Sequence, residues 1–295
     1  MLKRALERQP KPAVADQAEL LATIFLKAFD LRRIQFSPRT DDSYEEHEVD
    51  EVEMAVNETL IAMIYKLNDN VFRPIFIRFS EWANSTSLKQ SPRMLRQITW
   101  WKFQMTFFDT LKSIVTSYAG LILGDAVSVL EKASLEAPTS RVLWSKVLLT
   151  LESALKHDQD GYFQKPAHYT ALCTVLLSQL SPCASWADGH LLPHLLSTIT
   201  TLAASTDSPA QHRSLCTPLL HFMQDENPMV RLATVQCQLS LTERLGEEWL
   251  AQLPEMLPFI SEGMEDNDER VELEVRRWIR RIEGILGESI HSMLH

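Results

Sequence analysis

Cysteine is scarce: the 295-residue chain has four, Cys173, Cys183, Cys216 and Cys237, and none stands in a CxxC pair. The nine histidines form no compact cluster with them. The sequence therefore predicts neither a zinc site nor a disulfide framework, only buried free thiols in a reducing compartment. Positive charge is also in deficit. Lys and Arg number 29 against 39 Asp and Glu, a formal net charge of −10. A protein whose main task is wrapping naked nucleic acid is normally basic overall. No run of about 18 uncharged apolar residues occurs, so no membrane span is expected. The opening MLKRALERQPKPAV lacks the apolar core of a signal peptide and reads as a polar lead-in or the cut end of a longer chain.

Catalytic patterns are missing as well. There is no P-loop, no GxSxG, no HExxH and no dinucleotide fingerprint. His190 and His194 are four residues apart, as on a metal-binding helix, but no third ligand accompanies them. Glu262, Glu265, Asp266, Asp268 and Glu269 lack the order of a calcium loop. No enzyme activity, cofactor, metal or small-molecule substrate is expected.

What the chain does have is helical periodicity. Leu20, Leu21, Ile24, Phe25, Ala28 and Leu31 predict a helix near 13–33. From Asp41 to Glu53, eight of thirteen residues are acidic and none is Lys or Arg. Like charges this dense resist compaction, so 40–53 is expected to begin as a solvated loop and to feed a helix through Val56, Leu60 and Ile64. A docking strip for a basic partner is the other reading. NVFRPIFIRFSEWA follows, from Asn70 to Ala83. Pro74 suits a first helical turn. Beyond it Phe72, Ile75, Phe76, Phe79 and Trp82 share one side of the wheel, away from Arg73 and Ile77. That stripe reads as core. Aromatic faces beside arginine also suit stacking on bases, which the acidic total disfavours. Residues 93–134 predict two helices with soft breaks at Gly120 and Gly124. Trp100 and Trp101, beside Phe103, Phe107 and Phe108, are too apolar for a solvated surface and are candidates for facing a partner.

After Ser134 the texture changes. Helices become shorter and richer in leucine, with expected spans near 139–157, 164–180, 186–204, 209–223, 227–246, 249–264 and 269–290. Two segments align at a step of 41 residues: DENPMVRLATVQCQLSLTERLGE from Asp225 and DNDERVELEVRRWIRRIEGILGE from Asp266. A step near 40 with two helices per unit fits a HEAT-like α-solenoid of antiparallel helix pairs. Val230, Thr234, Cys237, Leu241 and Leu245 make one face of the first copy's second helix. Leu232, Val235 and Leu239 make another nearly opposite, as a helix between two neighbours requires. In the last helix Val271, Val275, Trp278, Ile282, Ile285 and Leu286 form a single stripe, the pattern of a terminal cap. Arg276, Arg277, Arg280 and Arg281 fall opposite. They read as a solvated face paired with Glu272 and Glu274, or as a contact for phosphate or an acidic protein. The chain thus divides into an N-terminal helical part, 1–134, and helical repeats, 139–295.

NDNVFRPIFIRFSEWA, LLTLESALKHDQDGYF and LPEMLPFISEGMEDNDERVELEVRRWIRRIEGILGE, in that order, resemble one family. It is the very large HEAT-repeat protein of the nucleolar small-subunit processome, in its C-terminal region. The resemblance makes Phe72, Arg73, Pro74, Phe76, Phe79 and Trp82 part of that family's domain signature and places Trp278 in its terminal repeat. It implies a non-catalytic α-solenoid in the nucleus and nucleolus, scaffolding the early 90S pre-ribosome in pre-18S rRNA processing. The implied partners are other processome proteins, the box C/D snoRNP and pre-rRNA. Direct RNA binding through local basic and aromatic patches is the alternative that the residues leave open.

Overall fold

The computed structural model of the chain describes residues 2–36, 46–186 and 189–290, and every regular element among them is a helix. The fold is all-α, as the periodicity predicts. Two compact units divide the chain: Met1–Leu111 with Ala137–Lys146, and Lys112–Glu136 with Val147–His295. The change of texture at 134–139 therefore does not coincide with the division into compact bodies.

The first unit holds α1 (Leu2–Arg8), α2 (Lys11–Asp16), α3 (Ala18–Phe29), α4 (Leu31–Gln35), α5 (Glu46–Ile64), α6 (Asp69–Ala83) and α7 (Gln90–Leu111). The expected helix 13–33 is three pieces. It breaks at Gln17 and again at Asp30, whose carboxylate is held by Arg33 and Arg96. The acidic loop expected over 40–53 is corrected in its second half. Residues 40–45 lie outside the described residues, but Glu46 to Glu53 are the first turns of α5. Carboxylates are favoured at the positive end of a helix dipole. α6 starts a turn earlier than Pro74 suggests, because Asn68 Oδ1 accepts from Val71 N at 3.0 Å and caps it. Pro74 then lies inside the helix. Its missing N–H leaves the carbonyl of Asn70 to solvent, where that exposed residue can be hydrated.

A 3-10 stretch (Lys112–Tyr118) and α8 (Ala119–Lys132) open the second unit. The break between the two predicted helices lies here, at Lys112 with φ 51°, and both glycines sit inside α8. By length and composition alone, the span Gln90–Lys132 could cross a membrane. Its Trp100, Trp101, Phe103, Phe107 and Phe108 are instead buried in the protein's own core. α9 (Pro138–Lys156) gives its first half to the first unit and its second half to the second.

The second unit continues with α10 (Pro166–Ser178), α11 (Leu180–Ala184), α12 (Leu192–Ala203), α13 (Pro209–Phe222), α14 (Pro228–Leu245), α15 (Glu247–Leu250), α16 (Leu253–Gly263) and α17 (Glu269–Leu286). α13 folds back on α14 and α16 on α17, while α12, α14 and α17 lie side by side. α14 is buried on opposite sides, with Val230, Thr234, Cys237 and Leu241 on one and Val235 and Leu239 on the other. This is the sandwiched helix that the two-faced pattern predicts. Both copies of the repeat finish Leu-Gly-Glu for a backbone reason. Gly246 (φ 58°) and Gly287 (φ 73°) turn the chain out of α14 and α17 through positive φ, which L side chains avoid. Gly263 serves another need. A Cβ there would lie 2.9 Å from Val275 Cγ2, so its absence lets α16 and α17 approach.

Candidate interaction surfaces

In the first unit the sequence signature is a core seam. Phe72, Phe76 and Phe79 are buried, and Trp82 is half-buried. Phe76 meets Trp100 edge-on at 4.9 Å, Phe72 meets Phe107 at 5.7 Å, and Phe29 meets Phe79 at 5.6 Å. Pairs of this kind favour edge-to-face or offset geometry. Trp100 and Trp101 are 1% exposed, so the expectation that they face a partner is corrected: α6 and α7 cover each other's apolar sides. The arginines of the signature are held locally. Arg73 Nε donates to Asp69 Oδ2 at 3.0 Å, and Arg78 Nη1 donates to Glu19 Oε2 at 3.1 Å. The three buried phenyl rings are closed to stacking on bases.

The acidic run meets its cations far away in sequence. Arg32, 2% exposed, donates through Nε and Nη2 to Glu53 at 2.9 Å and also pairs with Asp50 and Glu46. Lys102 reaches Asp50 and Glu53, and Thr99 Oγ1 donates to Glu53 Oε1 at 2.6 Å. Burial pushes the Asp50 carboxyl up, but Lys102 and Arg32 more than reverse this and hold it below the usual carboxylate range. Burial also lowers the neighbouring Lys146 ammonium, helped by the positive charge of Lys102. The docking-strip reading therefore loses Asp50 and Glu53, which are neutralised within the unit.

In the second unit the two copies of the repeat are joined by an arginine. Arg231 Nε and Nη2 each donate to Asp266 at 2.7 Å, while Nη1 donates to the carbonyl of Asp225 at 2.8 Å. The arginine of one copy thus clamps its own turn and the aspartate of the next. The hydrogen bonds from Arg231 hold Asp266 below the usual carboxylate range. The thiols are inert packing groups. Burial pushes Cys173 up to about 11 and Cys183, Cys216 and Cys237 up to about 12. His190 precedes α12 and so shares no helix with His194.

On α17 the stripe is buried as expected at Val271, Val275, Trp278 and Ile282, with Ile279 added, whereas Leu286 is exposed. Arg276, Arg277, Arg280 and Arg281 are all exposed. Arg276 pairs with Glu272 at 2.6 Å and Arg277 with Glu274 at 3.4 Å. Arg280 and Arg281 have no carboxylate partner among the described residues. Sequence reasoning missed one feature altogether: a groove of about 570 Å³ across α9, α12, α14 and α17. It has Leu196 and Leu239 in its floor and Glu152, Lys156, Glu243, Arg244, Glu274 and Arg277 along it. No local pattern unites residues drawn from four separate helices.

The BP28CT (NUC211) domain profile matches residues 13–163. Along its whole length the chain is similar to U3 small nucleolar RNA-associated protein 10 of Aspergillus oryzae, at 43% identity over 308 aligned positions. The corresponding protein of Coccidioides immitis is 44% identical over 305 positions, and that of Aspergillus niger is 43% identical over 304 positions, covering 98% of this chain. The chain spans 17% of the length of each of these relatives.

Proposed function

This chain belongs to the BP28CT (NUC211) domain family, and we propose on that footing that it acts as a non-catalytic scaffold segment of the 90S pre-ribosome. In this reading it supports pre-18S rRNA processing in the nucleolus and contacts other proteins of the small-subunit processome. The box C/D snoRNP and pre-rRNA are its further partners. The observation that carries the reading is similarity, along the whole of this chain, to a part of proteins whose names tie them to U3 small nucleolar RNA. The stacked pairs of the second unit serve as HEAT-like repeats, offering long helix faces rather than a catalytic cleft. A tagged chain should co-sediment with particles containing U3 small nucleolar RNA and unprocessed pre-18S rRNA. Recovery only in the free-protein fraction overturns the reading.

A second reading, direct contact with RNA, draws support from the exposed Arg280 and Arg281, which lack carboxylate partners among the described residues. Changing Arg276, Arg277, Arg280 and Arg281 to Gln should leave the fold intact, because surface ion pairs contribute about 0–1 kcal/mol each. Association with the particles should weaken most at low salt, since screening already weakens the parent contact at high salt. Unchanged association at both salt concentrations assigns these arginines to a merely solvated face.

A further inference from the structure

We propose that the groove across α9, α12, α14 and α17 docks an extended polypeptide segment of a partner protein, one carrying a basic and an acidic residue close together. The proposal rests on the scaffold reading and gives it a site. Three of the four helices each set one carboxylate and one cation along the groove: Glu152 and Lys156, Glu243 and Arg244, Glu274 and Arg277. The outer two pairs are closed within their own helices, Lys156 on Glu152 at 2.5 Å and Arg277 on Glu274 at 3.4 Å. The central pair is not. Glu243 and Arg244 are consecutive, so their side chains leave α14 about 100° apart. Both are exposed, and neither makes an ion pair among the described residues. The middle of the groove therefore offers one free carboxylate and one free guanidinium.

The floor selects the kind of polymer. Thr200 Oγ1 donates to the carbonyl of Leu196 at 2.6 Å, Thr201 Oγ1 to Ser197 at 2.8 Å, and Ser240 Oγ to Gln236 at 2.8 Å. These three hydroxyl protons are thus spoken for, and their oxygens keep acceptor capacity. A polypeptide backbone supplies N–H donors to such a floor. The phosphate groups of a nucleic acid only accept, and Glu152, Glu243 and Glu274 offset the attraction that Lys156, Arg244 and Arg277 would exert on them. An extended chain suits the walls as well, because alternate side chains point to the same side and can present opposite charges to Glu243 and Arg244.

The test is selection of short random peptides on the whole chain, followed by titration of synthetic copies by fluorescence anisotropy, with oligo(U) of similar length as a second probe. The enriched peptides should carry a Lys or Arg within a few residues of an Asp or Glu. Glu243→Lys should weaken them about tenfold, and reversing the peptide's basic residue to Glu should recover binding to that variant. Arg244→Glu should behave the same way toward the peptide's acidic residue. Oligo(U) should bind more weakly than the peptides. Unaltered melting of both variants, whose substituted positions are exposed, excludes misfolding as the cause. Enrichment of peptides of one charge sign, failure to enrich any, binding indifferent to both variants, or tighter binding of oligo(U) overturns the proposal. Its failure is distinct from that of the scaffold reading. A Glu243→Lys chain that loses peptides but still co-sediments with pre-ribosomes leaves the scaffold role standing.

Discussion

Trp278 Nε1 donates to Thr242 Oγ1 at 2.8 Å, so α17 is fastened to α14 by a polar bond inside an otherwise apolar seam. Thr242 passes its own proton to the carbonyl of Gln238 at 2.8 Å, which leaves its oxygen free to accept the indole. Trp278→Ala should cost about 3–5 kcal/mol, a cavity penalty at a fully buried ring. Thr242→Val keeps the volume but orphans the indole N–H, at about 1–3 kcal/mol. Denaturant midpoints check both, and equal stability of Thr242→Val and the parent would mean that the bond is incidental to the packing.

Acid should loosen the repeat array. Asp266 is held below the usual carboxylate range by hydrogen bonds from Arg231. A group depressed in the folded state contributes stability that is full above its unfolded pKa, about 3.9, and is lost as pH falls through the folded value. Asp30 and Asp50 give the first unit an acid limb of the same sign. Burial pushes both up, but Arg33 and Arg96 for Asp30, and Lys102 and Arg32 for Asp50, more than reverse it. Stability should therefore be nearly flat in this contribution down to about pH 4 and then decline. Asp266→Asn should lower stability at neutral pH and make the acid decline shallower, as read from urea midpoints across pH.

The Arg32–Glu53 pair should show strong non-additivity. Removing one partner leaves the other buried and under-compensated, so Glu53→Leu or Arg32→Met alone should cost about 3–5 kcal/mol. Arg32→Met with Glu53→Leu should cost far less than the sum, because neither charge then needs burial. A double-mutant cycle by chemical denaturation measures the coupling. Additive losses would show that Asp50, Lys102 and Thr99 absorb either change alone.

Gly263 marks a contact with no slack. Gly263→Ala should destabilise by about 1–3 kcal/mol despite alanine's higher helix propensity, because the new methyl overlaps Val275. Val275→Ala introduced with it should recover part of the loss. Thermal melts of the two single variants and the double variant test this, and a more stable Gly263→Ala would show that the helices part at no cost.

The sequence was most legible where a pattern is local. The α17 stripe and its arginine face follow from spacing along one helix, and the repeat step of 41 residues placed the second unit's last pairs. It was least legible where the partner is distant. The run from Glu46 to Glu53 reads as self-repelling until Arg32 and Lys102 are brought beside it, from 14 to 52 residues away. Trp100 and Trp101 read as surplus apolar surface because no local window contains Phe76, against which Trp100 packs. Pro74 suits a helix start because proline is so common there, but the Asn68 cap outranks it.

The two glycine corners carry a stereochemical consequence. At Gly246, φ 58° and ψ −127° mirror a relaxed extended residue, and at Gly287, φ 73° and ψ 8° mirror a residue near the helical region. Both are comfortable backbone angles for an amino acid of the opposite hand. A semisynthetic chain with D-alanine at either corner should fold at least as readily as the natural one, since the unfolded chain loses freedom that the native bend never uses, worth about 0.4–1 kcal/mol. L-alanine at the same place should do the reverse. The protein is built from one enantiomer throughout, yet at these two points it accommodates the other.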